Sequence, residues 1–307
     1  MKKTTGLYGA LSLAMIFWAF SFIWFKIANE TYRPITIIFI RLSLAVGILA
    51  IFLIATRGME KIRKEDRSLF FLLSFFEPFL YFLGESFGLV YVSATVGSVI
   101  ISTIPVFVTL GTWIIFNERL KIINYAGIAF SFIGVIVFLL NGNGSLSFNI
   151  KGLGLLSLAV MSAVGYNLIL SKLVGKYSSV FIIFIQNLTG SILFLPLFLA
   201  IDLSHFMKTP FVLKSFVPII ELSVFASCGA FILFAHSVNK MGVTKASIFT
   251  NFIPILTAIF SVLLLHEKFT VQNIVGMIIV IAGIFMSQIN GHRKNVDNAS
   301  VLAGKTA

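Results

Sequence analysis

The stretch TVGSVIISTIP at residues 95–105 recurs as TKASIFTNFIP at residues 244–254, in the same register. The constant offset of 149 (244 minus 95) continues without a gap through residues 95–134 and 244–283. The identical positions are Thr95/Thr244, Ser98/Ser247, Ile104/Ile253, Pro105/Pro254, Glu118/Glu267, Asn124/Asn273, Gly127/Gly276 and Gly134/Gly283. Hydrophobic bias produces chance matches, but it does not readily place proline, glutamate and glycine in one register. The chain therefore contains an internal repeat.

The repeat extends toward the start of each half with a slightly different offset. Ser12-Leu13-Ala14 matches Ser157-Leu158-Ala159, and residues 37–40 match residues 182–185. We therefore predict two repeats, residues 1–146 and 147–291, followed by a cytoplasmic tail at residues 292–307.

The composition is that of a protein that spans a membrane many times. Of the 307 residues, 58% are hydrophobic and 11% are charged, and the mean hydropathy is +1.03. A soluble domain carries roughly 25% charged residues, which excludes that class. Continuously apolar runs indicate helices rather than barrel strands. The ten predicted transmembrane helices lie near residues 7–28, 34–56, 68–89, 94–117, 122–140, 152–172, 180–201, 212–239, 243–266 and 271–290.

The distribution of Lys and Arg predicts the orientation of these helices. Of the 23 Lys and Arg residues, sixteen lie on the side of the N-terminus, six lie on the other side and Arg41 lies within a span. Positive residues are retained in cytoplasmic loops, so both termini are predicted in the cytoplasm and the protein in the cytoplasmic (inner) membrane. Five spans per half make the second repeat inverted relative to the first, an arrangement typical of secondary transporters. The net charge of +12 is explained in the same way, and no nucleic-acid partner is expected.

The doubled motif resembles a known family. The first half reads Ser93-Ala94-Thr95, Pro105 and Asn117-Glu118-Arg119-Leu120, and the second reads Val243-Thr244-Lys245-Ala246, Pro254 and His266-Glu267-Lys268-Phe269. This pattern is similar to the EamA-like branch of the drug/metabolite transporter superfamily. The resemblance implies ten helices in two inverted repeats and a central cavity lined by the first four helices of each half. It also implies the export of small metabolites, often amino acids.

Ionisable residues inside a span are expensive and point to function. We place Arg41 in the outer third of its span, at a depth similar to that of Glu85, with Glu221 also in the outer third. An ion pair of Arg41 with Glu85 or Glu221 is expected. Two interpretations remain open for this cluster: an extracellular gate or clamp for a substrate carboxylate, and a static pair that holds helices together.

Glu77 is the candidate for coupling transport to protons. It lies near the middle of the bilayer, directly before Pro78, and no basic residue is expected at its depth. Burial without a partner favours the protonated form of a carboxylate, so Glu77 is suited to carry a proton or to hold a substrate ammonium. Glu77, Tyr81 and Glu85 recur at i, i+4 and i+8 and share one helix face. The alternative is a protonated carboxyl group that bonds to another helix.

Further polar and aromatic residues are candidates for contacts with substrate or between helices. They are Trp18, Tyr166, Asn167, Gln186, Asn187 and Asn251. Pro105 and Pro254 are expected to kink their helices, either as pivots or as static bends. For Glu118 and Glu267, a structural role in a turn is favoured over contact with substrate. The paired glycines are expected to allow close helix packing.

These features predict a secondary transporter that moves a small polar metabolite such as an amino acid by alternating access, with export as the expected direction. The alternative is an uncoupled facilitator or a multidrug-type exporter of cationic or aromatic compounds. The chain carries no complete enzyme motif and no P-loop, and its single cysteine, Cys228, allows no cysteine metal cluster. We therefore predict no enzymatic activity, no cofactor and no metal. The expected partners are the small-molecule substrate and the lipid bilayer, for a monomer or a homodimer.

Overall fold

The structure is a computed structural model that describes residues 2–116, 121–139 and 149–288. Nine of its helices are long and apolar enough to cross a membrane, and a further apolar stretch, Val271–Ser287, is slightly shorter. The nine agree with nine predicted spans to within a few residues, apart from the first helix, which begins earlier. Glu118 and Arg119, the predicted tail and the boundary between the predicted repeats lie outside the described residues.

We number the helices α1 to α10 in chain order, and several of them consist of consecutive segments. The bounds are α1 Lys2–Asn29; α2 Pro34–Ala55; α3 Arg67–Ser74, Phe75–Leu80 and Tyr81–Tyr91; α4 Ala94–Ile101 and Ile104–Phe116; α5 Ile122–Leu139; α6 Ile150–Leu173; α7 Ser179–Leu197, Phe198–Asp202 and Leu203–Phe206; α8 Leu213–Glu221, Leu222–Ala230 and Phe231–Met241; α9 Val243–Ser247, Ile248–Asn251 and Phe252–Leu264; and α10 Val271–Gln288.

The fifth helices of the two halves pack closely and run antiparallel. Gly127 of α5 faces residues 283–287 of α10, whereas Gly134 faces residues 279–280. A Cβ atom at either glycine would overlap the backbone of α10. The predicted packing role of these glycines is therefore confirmed, because only a residue without a side chain permits this approach.

The second helices of the two halves, α2 and α7, are also antiparallel, and a buried carboxylate joins the two halves at each end of the bundle. Asp202 Oδ2 accepts hydrogen bonds from the amide and hydroxyl groups of Thr36, at 3.1 and 3.0 Å. At the opposite end, Asp66 accepts from Lys176 Nζ at 2.7 Å and from the Tyr177 hydroxyl at 2.9 Å. Both carboxylates lie at the start of a partner helix, where the helix dipole favours negative charge.

These contacts define two ends of the bundle. The Glu267 end contains the turns at residues 29–34, 91–94, 206–213 and 264–271, and the Gly242 end contains the turns at residues 55–64, 173–179 and 241–243. We use these two names below.

Candidate functional site

A central cavity of about 60 Å³ lies between the two halves, which is room for a few water molecules. Its lining comes from α1, α2, α3, α4, α6, α8 and α9. Seven of the nineteen lining residues are aromatic, namely Trp18, Phe22, Tyr81, Phe82, Tyr166, Phe231 and Phe234. Such a wall binds the apolar part of a ligand and leaves its orientation to a few polar groups.

Arg41 is the cationic side chain of the cavity and is 3% exposed. Its Nε donates a hydrogen bond to Ser227 Oγ at 3.0 Å, and its guanidinium carbon lies 4.3 Å from the centre of the Phe82 ring. The Ser223 hydroxyl donates to its backbone carbonyl at 2.8 Å. Serines of α8 and a ring of α3 therefore fix the orientation of the guanidinium.

The expected ion pair of Arg41 with Glu85 or Glu221 is not formed. The ion pairs closer than 4 Å in the described part of the chain join Arg33 to Asp202, Lys176 to Asp66 and Lys214 to Glu30. Glu85 lines the cavity, but its Oε1 accepts from the Tyr81 hydroxyl at 2.9 Å. Glu221 is half-buried and is absent from the lining. Among the residues that the structure describes, no carboxylate forms an ion pair with Arg41, so its terminal nitrogens are available to a ligand.

Glu77 lines the cavity at a break in α3 and is 6% exposed. Its backbone leaves the helical region, with φ of −142° and ψ of 116°. The carbonyl of the preceding Phe76 accepts a hydrogen bond from Ser162 Oγ of α6 at 2.5 Å. Backbone that is not helical persists at membrane depth only where protein or a cavity satisfies it, so this break identifies Glu77 as part of the polar site. The shared face of Glu77, Tyr81 and Glu85 is confirmed, since all three line the cavity.

Helix α6 supplies Tyr166 and Asn167 to the opposite wall. The Tyr166 hydroxyl donates to Gln186 Oε1 of α7 at 3.2 Å. Gln186, a candidate from the sequence, therefore holds a lining residue in place and does not line the cavity itself. Asn167 Nδ2 donates to the carbonyl of Ala163 at 2.8 Å, while its Oδ1 is buried with no hydrogen-bond partner. Asn167 therefore retains an acceptor at the cavity wall.

Two of the sequence candidates do not reach the cavity. Asn187 Nδ2 donates to the carbonyls of Ile183 and Ser227, so this residue holds α7 against α8 behind Arg41. Asn251 is 1% exposed and is absent from the lining, and neither polar atom of its side chain has a hydrogen-bond partner. Trp18, the remaining aromatic candidate, lines the cavity and packs against Phe231 and Phe234.

Both predicted helix interruptions are confirmed. α4 is broken between Ile101 and Ile104, just before Pro105, and α9 narrows to a 3₁₀ turn at Ile248–Asn251, just before Pro254. A proline lacks the N–H that would bond to the carbonyl four residues earlier. That residue is Ile101 in α4 and Thr250 in α9, and both line the cavity.

Sequence reasoning missed several lining residues, namely Ser21, Phe22, Phe82, Ser102, Phe231, Phe234, Ser247 and Thr250. The repeat contains the signal that would have found some of them. At the offset of 149, Ile101 corresponds to Thr250 and Ile104 to Ile253, and all four residues line the cavity. The two halves therefore contribute equivalent positions to one site.

Comparison with known proteins extends this description. A family model described as the EamA-like transporter family matches residues 6–140 and 150–288. A protein of Archaeoglobus fulgidus described as an uncharacterized transporter is 27% identical over 276 residues, which cover 90% of this chain and 96% of that protein. The transporter YcxC of Bacillus subtilis, also described as uncharacterized, is 25% identical over 304 residues, which cover 95% of this chain and 96% of that protein. A solved crystal structure with 14% identity shares the fold with a TM-score of 0.67 and matches 92% of this chain and 98% of its own.

Proposed function

The chain belongs to the EamA-like transporter family and is a multi-pass membrane transporter, and we propose that its substrate is a small zwitterion such as an amino acid. The observation that carries this proposal is the charge pattern of the cavity. Arg41 faces it with terminal nitrogens that no described carboxylate approaches within 4 Å, and Glu77 and Glu85 face the same space. A buried cation is unfavourable without a partner, so the substrate carboxylate takes the place of the missing partner.

The same cavity supplies groups for the ammonium of a zwitterion. The Glu77 carboxylate and the unpartnered Asn167 Oδ1 are hydrogen-bond acceptors at its wall. The aromatic lining accommodates the side chain of the substrate. Arg41 favours a zwitterion over the alternative, a multidrug-type exporter of cations, because a ligand without an anionic group would leave the buried guanidinium unpaired.

We propose transport by alternating access, with the two repeats inverted and ten helices spanning the cytoplasmic membrane from cytoplasmic termini. The antiparallel packing of α5 with α10 and of α2 with α7 supports this proposal, as does the pairwise match of lining positions. Exchange of the conformations of two inverted repeats converts access from one side into access from the other. We propose export as the direction and Glu77 as the group that couples transport to protons.

The test is counterflow in proteoliposomes that are preloaded with a mixed amino-acid pool. Labelled amino acids are added outside, with and without an imposed pH gradient. Three competitors separate the charges of the substrate: the amino acid itself, its amide without the carboxylate, and its 2-oxo acid without the ammonium. We expect saturable exchange that the amino acid inhibits best. Exchange that the amide inhibits equally well would remove the role of Arg41, and a gradient without effect would leave an uncoupled facilitator.

A further inference from the structure

Two side chains of opposite charge hold the turn between α3 and α4 at the Glu267 end. Lys26 Nζ of α1 donates to the backbone carbonyls of Leu89 and Val92, at 2.5 Å for the latter. Glu267, in the turn after α9, accepts from the Ala94 amide at 2.9 Å through Oε1 and from the Thr95 hydroxyl at 2.7 Å through Oε2. Both contacts join parts of the chain that are far apart in sequence.

The charges match the helix ends that they contact. Lys26 binds carbonyls at the C-terminal end of Tyr81–Tyr91, and Glu267 binds the N-terminal end of Ala94–Ile101. Cations are favoured at helix C-termini and anions at N-termini. Hydrogen bonds to an ionised acceptor are stronger than those between neutral groups. The bonds of Glu267 are therefore the strong link between the turn after α9, in the second repeat, and the start of α4, in the first.

Beneath this link, packed side chains separate the cavity from the Glu267 end. Phe22 lines the cavity and is 2% exposed, and Leu89, at 1% exposed, is absent from the lining. Leu89 packs onto α4 at Gly97, where a Cβ atom would overlap its side chain. Phe22 of the cavity wall lies beside the same glycine, so an opening from this end to the cavity would separate the start of α4 from Leu89.

Other carboxylates of the bundle behave differently. Asp202 joins the end of α7 to the start of α2, and Asp66 joins the start of α3 to the turn before α7. Neither aspartate lines the cavity, and neither does any residue of α7. The Glu267 bonds cross from one repeat to the other above the closed layer, and opening at this end would separate the groups that form them.

We propose that Glu267, with the Ala94 amide and the Thr95 hydroxyl, is a latch that keeps the cavity closed at the Glu267 end. The proposal rests on alternating access as proposed above and assigns a conformational role to the glutamate of the repeated motif. Loss of the latch lowers the stability of the closed state relative to the state that is open at this end, so the populations shift toward the open state.

The experiment measures the exposure of two equivalent serines in a Cys228→Ala background. Ser98 lies one turn below Thr95 and is 0% exposed, and Ser247 is its counterpart in the second repeat, at the Gly242 end, where it lines the cavity. Each serine is replaced by cysteine in turn. The rate of labelling by a charged thiol reagent is then measured in purified protein, with and without Glu267→Gln.

We expect Glu267→Gln to raise the labelling rate of Ser98→Cys about tenfold, the effect of losing one charge-assisted hydrogen bond, and to leave that of Ser247→Cys unchanged or lower. Thr95→Val removes one of the two bonds, and we expect a rise of about threefold. Thr95→Ser keeps the hydroxyl and should restore the original rate. Thr95→Val also serves if Glu267→Gln fails to fold.

Asp202→Asn is the matched control, because it weakens a carboxylate bond at the same end without touching the latch. We expect it to change the Ser98→Cys labelling rate less than twofold. An unchanged Ser98→Cys rate in Glu267→Gln, or equal rises at both serines, would overturn the latch. The labelling assay needs no substrate, so the two proposals can fail separately. Amino-acid exchange without a change in labelling would contradict only the latch. A change in labelling without exchange of any amino acid would contradict only the proposed substrate.

Discussion

The Arg41 guanidinium lies over the ring of Phe82, with 4.3 Å between the guanidinium carbon and the ring centre. A cation over an aromatic face is attracted by the ring quadrupole, an interaction worth about 2 kcal/mol when both groups are desolvated. This contact, together with Ser227, keeps the charge in the cavity without neutralising it. An ion pair with Glu85 would have done the opposite, because a partner carboxylate would compete with an anionic substrate.

Replacing Arg41 tests this reasoning directly. We expect Arg41→Gln to lower kcat/KM for amino-acid exchange by about 10- to 150-fold, because a hydrogen bond to a charged group contributes about 1.5–3 kcal/mol. Arg41→Lys should recover only part of the loss, since an ammonium lacks the planar fork that binds a carboxylate through two bonds. Counterflow with the amino acid and with its amide measures the effect.

Arg33→Gln is the matched control for Arg41. Arg33 is half-exposed at the Glu267 end and lies 3.7 Å from Asp202, outside the cavity. Its replacement should change exchange less than twofold. An equal loss in the two variants would mean that Arg41 acts through general stability and not through substrate.

Glu77→Gln separates proton coupling from binding. The amide keeps the size of the side chain and loses the ability to exchange a proton. We expect counterflow without a gradient to persist, within about fivefold of the original rate, while the response to an imposed pH gradient disappears.

Glu221→Gln provides the comparison for Glu77, because Glu221 is half-buried and does not line the cavity. It should retain the full response to the gradient. Full flux and a full gradient response in Glu77→Gln would end the coupling role of this residue.

The sequence could predict the helices and the faces of α3 and α6 that meet the cavity, because both follow from local patterns. Apolar length identifies a span, and the spacing of Glu77, Tyr81 and Glu85 identifies a shared face. The sequence could not predict which polar side chains contact each other, because those contacts depend on the rotation of each helix about its own axis. Asn187 shows this limit, because its side chain donates to the carbonyls of Ile183 and Ser227 and does not line the cavity.

The aromatic lining was hidden for a different reason. With 34 phenylalanines in the chain, no single one stands out, and most apolar side chains face lipid or pack. Phe82 and Phe231 could be selected only from the structure, which places both in the cavity wall. Contacts between the halves, such as that of Glu267 with Thr95, could not be predicted either. A repeat shows which positions are equivalent, but it does not show which residues are in contact.

The close approach of α5 and α10 predicts a sharp difference between glycines. A Cβ atom at Gly283 would overlap the Ser131 amide nitrogen and lie 2.8 Å from the Gly127 carbonyl oxygen. We expect Gly283→Ala to destabilise the fold by about 1–3 kcal/mol through overpacking, measured as a lower midpoint of thermal unfolding in detergent. Gly47→Ala is the control, because no atom lies within 4 Å of its added methyl group. It should leave the midpoint unchanged or slightly higher, and equal effects of the two changes would contradict the packing argument.

The prolines that break α4 and α9 provide the test between pivot and static bend. Replacing Pro105 and Pro254 together by alanine restores the N–H groups that can bond to the carbonyls of Ile101 and Thr250, so both helices can become continuous. We expect the turnover rate to fall about tenfold while substrate affinity changes little, because a conformational step limits many transport and catalytic cycles. Pro196→Ala, at an exposed position of α7 away from the cavity, should change turnover less than twofold. A double variant that exchanges substrate at the original rate would show that the two breaks are static bends, whereas a loss of affinity equal to the loss of turnover would place them in the binding site itself.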